Sequence, residues 1–396
     1  MAKGKGGFIG QDGLNAPDSP TAVSGTAGDS SVSVAFTAPT DVGGSAITGY
    51  RVQDGTNAHG ASGSSSPINV TGLTNGTAYT FSVWAINAFG YSAPSDASTG
   101  VSPATRGLFA GGNSSSNRNV IEFIAVSSTG NSTDFGDLLY SGSVGNQSTS
   151  SSTRALFGGG NNVNRDADQL TLLQYVTIAT VGNALDFGDF TGNRLYTSSL
   201  SNETRGVFVG EELSNPADTM EYLTIASLGN STDFGNLTTA RSNMGSGSNT
   251  TRGVSAGGNI TDGTAQNIID YITIASTGNS TDFGDLTQAR KALAGCSSTA
   301  RTCFIGGSTG SNVNTIDFVT TASTGNATDF GDLGTAIRNN AALSSKIRGV
   351  SAGGESATAD MQYITMASAG NSSTFGNLLS AKHSFSGCSS GHGGLS

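Results

Sequence analysis

Six arginines recur along the chain at similar spacing, and five of them are followed by an aspartate in the same repeat. A ring of guanidinium groups would bind a sulfated or acidic glycan. Arginines that pair with a nearby aspartate, or that cap strand-end carbonyls, would instead serve the fold. We favour the structural role, because the repeat itself places one arginine in each unit. The residues are Arg106, Arg154, Arg205, Arg252, Arg301 and Arg348, with Asp134, Asp186, Asp233, Asp282 and Asp329; the sixth copy has Thr374 instead.

The carboxylates and histidines do not favour catalysis. Glycoside cleavage requires two carboxyl groups that face each other in a cleft, and the few glutamates of the chain do not suggest such a pair. The three histidines, His59, His383 and His392, suggest neither a catalytic triad nor a copper site. Asp166 and Asp168 lack the loop of ligands that calcium requires. We expect no enzymatic activity, no metal and no cofactor.

Polar loops of unequal length are the better candidates for binding. They connect the second and third strands of the repeats and are rich in Asn, Asp and Ser, which suits adaptable hydrogen bonding to sugars or to a protein surface. They are also consistent with plain solvated connections. The candidate residues are Asn161, Asn164, Arg165, Asp166, Asp168, Glu211, Glu212, Asn259, Asp262, Asn267 and Asn312.

A hairpin motif that the chain contains six times positions these residues. In its fourth copy, a β-branched strand from Ile269 is followed by a predicted tight turn at Gly278-Asn279 and by a second strand centred on Phe283. An apolar strand after each repeated arginine usually ends in paired glycines, such as Gly257-Gly258. The equivalent turns are predicted at Gly130-Asn131, Gly182-Asn183, Gly229-Asn230, Gly325-Asn326 and Gly370-Asn371.

The repeat length of about 48 residues predicts a β-propeller, because a unit of this size must stack on its neighbours to bury its apolar faces. Four strands per unit make one blade. We expect an all-β fold with six blades over residues 105–396, starting near residues 106, 154, 205, 252, 301 and 348. A first strand precedes only five of the arginines. We expect residues 381–390 to supply the sixth by pairing with residues 107–111, which removes two exposed sheet edges.

These repeats resemble kelch-type propellers. The shared features are a basic residue that opens the small-residue first strand, paired glycines in the second strand, and aromatic residues in the third and fourth. The opening basic residues are assigned as Arg194, Arg241, Arg290 and Arg338. The run Ser231–Gly235 also resembles the Asp box of sialidases, where the box is a structural turn.

The preceding segment, residues 16–104, alternates in short strands and predicts a β-sandwich. Its Gly72–Tyr79 run resembles the fibronectin type III family, which implies that Tyr79 is a corner tyrosine and that Phe36 replaces a usual tryptophan. The resemblance implies a spacer or docking module. Residues 1–15 form a glycine-rich arm with Phe8 and Ile9 as its apolar pair, and we expect this arm to dock on a partner.

Composition argues against several other classes. Charged residues make up 12% of the chain, the net charge is −10, and the basic residues are spread along the repeats, so a nucleic-acid surface is not expected. No stretch is apolar enough to span a bilayer, and the first eight residues lack the core of a signal peptide. Cys296, Cys303 and Cys388 are expected as buried small side chains.

The arm, the sandwich and the glycine-, serine- and asparagine-rich repeats together resemble structural proteins of tailed phages, notably marine cyanophages. The resemblance implies a virion component present in many copies, such as a tail fibre or capsid-surface appendage. Its arm and sandwich would bind other virion proteins, and its propeller would meet a host-surface glycan or protein. Two alternatives remain open: a decoration or cement protein that binds only virion subunits, and a polysaccharide-degrading enzyme.

Overall fold

The structure, a computed structural model, describes residues 15–28, 31–74, 77–113, 119–140, 145–160, 170–212, 215–355 and 358–395. The chain divides into two compact units, Met1–Thr105 and Arg106–Ser396. Phe8 and Ile9 of the predicted docking arm lie outside the described residues.

The first unit is a sandwich of two antiparallel sheets, ordered β1-β2-β5 and β4-β3-β6-β7. Alternate residues of β2 and β6 face inward, so Val32, Val34, Phe81 and Val83 are fully buried. The strands are β1 (Thr21–Gly28), β2 (Ser31–Thr37), β3 (Gly49–Asp54), β4 (Gly60–Gly63), β5 (Ile68–Thr71), β6 (Phe81–Asn87) and β7 (Gly90–Tyr91).

Two predictions about this sandwich are confirmed. The backbone N–H of Thr74 donates to the Tyr79 hydroxyl at 3.1 Å, as expected of a corner tyrosine. Phe36 is buried and its ring lies 4.7 Å from that of Tyr50, so the core accommodates phenylalanine at this position.

The second unit contains six four-stranded antiparallel sheets, numbered one to six from the sheet of Arg106. Sheet one contains β31 (Ser386–Ser389), β8 (Arg106–Ala110), β9 (Val120–Ala125) and β10 (Thr133–Asp137), in that order. Sheets two to six follow in chain order: β11 (Gln147–Ser150), β12 (Arg154–Gly158), β13 (Leu172–Thr177), β14 (Leu185–Asp189); β15 (Ser198–Ser201), β16 (Arg205–Glu212), β17 (Pro216–Thr224), β18 (Thr232–Asn236); β19 (Gly245–Ser248), β20 (Arg252–Ala256), β21 (Ile268–Thr273), β22 (Thr281–Asp285); β23 (Ala294–Ser297), β24 (Arg301–Ile305), β25 (Thr315–Thr320), β26 (Thr328–Asp332); and β27 (Ala341–Ser344), β28 (Arg348–Ala352), β29 (Asp360–Thr365), β30 (Ser373–Asn377).

The predicted pairing of the last strand is confirmed. β31 is antiparallel to β8, with Ser386 opposite Ala110 and Ser389 opposite Gly107. The first and last strands of this unit therefore share one sheet, and both edges that they would otherwise expose are paired.

The predicted turn at Gly278-Asn279 is wrong. The chain reverses earlier, where the N–H of Ser276 bonds to the carbonyl of Thr273. Gly278 and Asn279 instead reach the preceding sheet: the N–H of Gly278 donates to Phe234, and the Asn279 side-chain oxygen accepts the N–H of Asn236 at 3.0 Å. The other five Gly-Asn pairs make the same two contacts. The motif is repeated in all six sheets because it forms contacts between neighbouring sheets. Rules for local turns do not predict such contacts.

These contacts follow the sheets in cyclic order. Each Gly-Asn pair binds the fourth strand of the sheet before it, and Gly130 of sheet one binds Phe375 of sheet six. The first strands also contact one another in sequence, from β11 through β15, β19, β23 and β27 to β31, which in turn contacts β11. The paired glycines have left-handed backbones, with φ of +68° and +91° at Gly257 and Gly258, which explains the requirement for glycine.

Candidate functional site

Four buried ion pairs join the segment before a first strand to the third strand of the same sheet. In sheet five, Nη2 of Arg290 lies 2.9 Å from Oδ2 of Asp317, and both side chains are inaccessible. Arg241 with Asp270 repeats this arrangement at 2.6 Å. The remaining two pairs are Arg194 with Glu221 and Lys382 with Glu122.

Burial lowers the pKa of Arg290, Arg241 and Lys382, and the carboxylate partner of each raises it again. Burial would raise the pKa of Glu221, but hydrogen bonds from Ser231 and Thr191, together with Arg194, hold it below its ordinary value. Each carboxylate of these pairs also accepts a hydrogen bond from a nearby hydroxyl or backbone N–H group. The pairs serve the fold and offer no free carboxylate to a substrate.

Sheet six departs from this rule and corrects the sequence assignment of Arg338. The backbone oxygen of the buried basic residue accepts the N–H of the second glycine of a pair, as Arg290 does from Gly258. In the next sheet the equivalent acceptor is Ile337, bound by Gly307, so Arg338 lies one position later. The position on the third strand that carries the acid of the ion pair, such as Asp317 in sheet five, is occupied in sheet six by the neutral Gln362. The buried cation and the buried acid are replaced together.

The six repeated arginines also serve the fold. Each guanidinium lies over the aromatic ring of the third strand in its own sheet, as Arg205 does over Tyr222 at 4.1 Å. Each donates to a backbone carbonyl of the next sheet, for example from Arg205 to Ile274 at 2.9 Å. Arg348 closes the series by donating to Val126 of sheet one. The remaining contacts are those of Arg106, Arg154, Arg252 and Arg301.

The expectation of carbonyl caps is therefore confirmed, and the expectation of aspartate partners is wrong. Within the described residues, no ion pair joins these arginines to an acid. Asp134, Asp186, Asp233, Asp282 and Asp329 are all exposed. The aromatic ring and the carbonyl of the next sheet hold the guanidinium in place without an aspartate.

The second-to-third loops and the connections into the first strands lie at the same ends of the antiparallel sheets. We call this side of the unit the loop face, and the opposite side, which carries the first-to-second turns, the turn face. Six residues on the loop face have left-handed backbones and form a closed cycle of N–H to carbonyl hydrogen bonds. In order of donation they are Gly145, Ser384, Asn339, Ala292, Asn243 and Tyr196.

Five members of this left-handed cycle are not glycine, and their φ angles lie between +50° and +56°. Such backbones are uncommon for residues with a Cβ atom and occur where the surrounding structure enforces them, often at binding sites. A polar cleft of about 250 Å³ opens beside the cycle. Its lining residues are Tyr196, Asn243, Asn259, Gly263, Lys291, Ala292, Ser308, Arg338 and Asn339.

Among the predicted binding residues that the structure describes, only Asn259 lines this cleft. Asn259 is buried and bridges Ser242 and Ala265. Asp262 is exposed, and hydrogen bonds from Thr264 lower its pKa. Asn267 and Asn312 are half-buried in their loops. Asn161, Asn164, Arg165, Asp166 and Asp168 lie outside the described residues.

The third copy replaces the second glycine of its pair by Glu211, and here β16 and β17 extend into a longer hairpin, with Glu211 opposite Ala217 and Glu212 opposite Pro216. A carboxylate oxygen of Glu211 lies 3.6 Å from Arg194, and burial raises the pKa of Glu211. The two carboxylates around Arg194 do not face each other across a cleft, because Glu221 is buried among its donors.

Sequence reasoning missed the residues that give the cleft its charge, Lys291 and Arg338. Each directly precedes a member of the left-handed cycle. The available signal was the spacing: Arg338 lies ten residues before the next repeated arginine, whereas Arg194, Arg241 and Arg290 each lie eleven residues before theirs.

On the turn face, the segment after β31 fills the middle of the six first strands. His392 Nε2 lies 3.3 Å from the carbonyl of Ser150 and 3.2 Å from the Ser201 hydroxyl, and the Gly393 N–H donates to Ser297. Serines that end the first strands donate to the equivalent carbonyl of the preceding sheet, as Ser201 does to Ser150. Burial lowers the pKa of His392 to about 4. This segment leaves a channel of about 110 Å³ between the first strands.

Within the described residues, no group of three or more His, Cys, Asp and Glu side chains could hold a metal ion. The same residues contain no helix long and apolar enough to cross a membrane. Cys296, Cys303 and Cys388 are free and buried, as predicted.

Comparison with curated proteins found no match for the chain. The family model of the fibronectin type III domain matches residues 16–101, which is the segment whose strands, core and corner tyrosine are described above. Residues 16–101 are therefore a fibronectin type III domain.

Proposed function

We propose that the six sheets of the second unit are the blades of a kelch-like β-propeller closed by β31. The proposal is supported by three sets of contacts that run through the sheets in the same cyclic order: the arginine-to-carbonyl bonds, the Gly-Asn contacts and the left-handed cycle. Each set returns from sheet six to sheet one. A repeat whose units bury their faces against neighbours on both sides has this pattern.

The protein is proposed to be a non-enzymatic structural component of a phage virion that displays this propeller for attachment to the host surface. The observation that carries the proposal is the contrast between the two faces. The turn face repeats the same contacts in every sheet, whereas the loop face carries loops of unequal length and the polar cleft. Variable loops on a rigid scaffold are typical of recognition surfaces.

In this account the arm and the fibronectin type III domain bind other virion proteins, and many copies on one particle multiply weak contacts. The ligand is a glycan or protein of the host surface. No nucleic acid and no membrane insertion are involved, and the protein is exposed on the particle.

Binding by the full chain, displayed in multivalent form on beads, tests the proposal on glycan arrays and on whole host cells. The test variant replaces loop residues 259–267 by a short glycine-serine turn. The control changes Lys346→Ser in the first-to-second turn of sheet six, on the turn face. Loss of binding in the loop variant alone supports attachment through the loop face. Absence of binding by the multivalent wild-type chain contradicts the proposal.

A role as a decoration or cement protein is the second candidate. Its support is a set of exposed apolar side chains away from the loop face: Val181, Leu185 and Leu228 are each more than half exposed, in sheets two and three. Exposed apolar residues of this kind are common at subunit contacts. Under this alternative, Leu185→Ser with Leu228→Ser would abolish incorporation into particles, whereas host attachment through the loop face predicts normal incorporation and normal adsorption.

A further inference from the structure

Three consecutive sheets place a basic residue at one equivalent position on the loop face. The position directly precedes the left-handed cycle, and it carries Lys291 in sheet five, Arg338 in sheet six and His383 in sheet one. We call these three residues the basic arc. Sheets three and four have Leu195 and Ser242 there. The basic residue at this position is therefore not required by the repeat.

Sheet six shows the departure most clearly. Ile337 occupies the position that carries the buried cation in the four ion pairs, for example Arg290. The basic residue of sheet six is Arg338, one residue later in the chain. Gln362 replaces the buried acid, so the core of the sheet has adapted to the loss of the cation. The side chain of Arg338 is about one-third exposed. This shift moves a cation from the core of a sheet to the loop face.

The cations of the arc keep unused hydrogen-bond donors. Arg338 uses Nε to contact Glu355, and no bond within the described residues occupies its two terminal nitrogens. Lys291 donates to the carbonyl of Gly263 at 2.7 Å, which uses one of its three N–H groups. The terminal nitrogens of arginine form a fork that matches the two oxygens of a carboxylate or sulfate.

Lys291 and Arg338 both line the polar cleft beside Tyr196, Asn243 and Asn339. The cleft volume of about 250 Å³ is slightly below the range of about 300–1,000 Å³ that is typical of pockets for drug-sized ligands. Amide and phenol groups of the lining can bond to hydroxyl groups, and an aromatic ring offers an apolar surface. Each cation has an acidic neighbour: Glu355 contacts Nε of Arg338, and Asp262 lies near Lys291. A ligand would therefore bind through the N–H groups that these neighbours leave unused.

We propose that this cleft is the binding site for an acidic saccharide, with the carboxylate or sulfate group held between Arg338 and Lys291. The inference rests on the proposed attachment function and gives its ligand a chemical class. The cations select the anionic group, and the amide side chain of Asn339 contacts a neighbouring hydroxyl group. Binding through few charges at an exposed cleft is weak, so copy number supplies the avidity.

The test measures binding of the full chain, displayed on beads, to a polyuronate such as alginate, to dextran sulfate, and to neutral dextran. The variants are Lys291→Gln and Arg338→Gln, and the control is Lys346→Gln on the turn face, which removes one positive charge by the same substitution. Thermal unfolding of each variant verifies the fold. We expect binding to at least one acidic polymer, none to neutral dextran, and about a tenfold loss for each cleft variant but not for the control. Binding should also weaken as salt is added.

Comparison of binding to alginate with binding to dextran sulfate shows whether the site prefers a carboxylate or a sulfate group. Binding to host cells that all three variants retain would overturn this inference and leave the proposed attachment function standing. Equal binding to neutral dextran would also overturn it. Failure of the multivalent wild-type chain to bind any polymer or any host cell would overturn both proposals.

Discussion

Arg290 and Asp317 form an ion pair that is inaccessible to solvent, with 2.9 Å between Nη2 and Oδ2. Arg290 also donates to the carbonyls of Gly306 and Thr315. Arg290 thus joins the segment before β23 to β24 and β25. The counterpart of the pair in sheet six consists of the neutral residues Ile337 and Gln362. The same two positions in the fold therefore carry a charged pair in sheet five and a neutral pair in sheet six.

The first prediction uses both solutions. Arg290→Ile should destabilise the protein by about 3–5 kcal/mol, because Asp317 is left charged and buried without its partner. Adding Asp317→Gln should recover a large part of this loss, since the double variant copies the combination in sheet six. Urea unfolding of the wild type, both single variants and the double variant measures the coupling. A double variant as unstable as the sum of the single changes would contradict the account.

The second prediction separates the Gly-Asn motif from the exposed aspartates. Asn326→Ala removes the side-chain oxygen that accepts the N–H of Asp285 at 3.0 Å, and should cost about 1 kcal/mol. Asp282→Ala changes an exposed side chain and should alter stability by no more than about 0.5 kcal/mol. Thermal unfolding compares the two variants. A larger loss for Asp282→Ala would show that the aspartates support the fold after all.

The third prediction concerns pH. Burial lowers the pKa of His392 to about 4 from an ordinary value of 6.5, so the folded state binds a proton less readily than the unfolded state. The contribution of neutral His392 is complete above pH 6.5 and is lost as the pH falls from 6.5 towards 4. Because the side chain is partly accessible, we expect a loss of about 1–3 kcal/mol.

The control for this pH effect is His392→Gln, measured by urea unfolding at pH 7.5, 6 and 4.5. The variant should be less stable at pH 7.5, and its stability should fall less between pH 7.5 and 4.5 than that of the wild type. Identical pH dependence in the two proteins would assign the effect to other groups.

The fourth prediction is that the native cysteines do not react. Burial raises the pKa of Cys296 and Cys388 to about 12, and raises that of Cys303 well above its ordinary value. Alkylating agents attack the thiolate, so the folded protein at pH 8 should remain unmodified and should be labelled at three sites after unfolding in urea. Mass spectrometry counts the labels. Rapid labelling of the folded chain would contradict the buried positions.

The strands of this fold could be predicted from local patterns, and several contacts between sheets could not. Apolar strands, paired glycines and the missing first strand are visible in the sequence because they depend on periodicity and counting. The contact of Asn279 with Asn236 depends on a neighbouring sheet. The Gly-Asn dipeptide considered without that sheet favours a hairpin turn.

The candidate site was harder to predict because its chemistry lies in departures from the repeat. Arg338 opens its first strand as Arg290 does, but it lies ten residues before Arg348, whereas Arg290 lies eleven residues before Arg301. In the structure it accordingly occupies the next position. Tyr196 and Asn243 have left-handed backbones that no sequence rule assigns to them. The cations of the cleft come from the segments that lead into the first strands and not from the polar loops.

The central claim is that the loop face meets the host surface. Because the three native cysteines are buried, Asp262→Cys on the loop face and Lys346→Cys on the turn face each provide a single reactive thiol for a bulky polyethylene glycol chain. The measurement is adsorption of the labelled and unlabelled proteins, in multivalent form, to host cells. We predict that the label at residue 262 abolishes adsorption and that the label at residue 346 leaves it unchanged. The account would be contradicted if the protein labelled at residue 346 failed to adsorb while the protein labelled at residue 262 adsorbed fully.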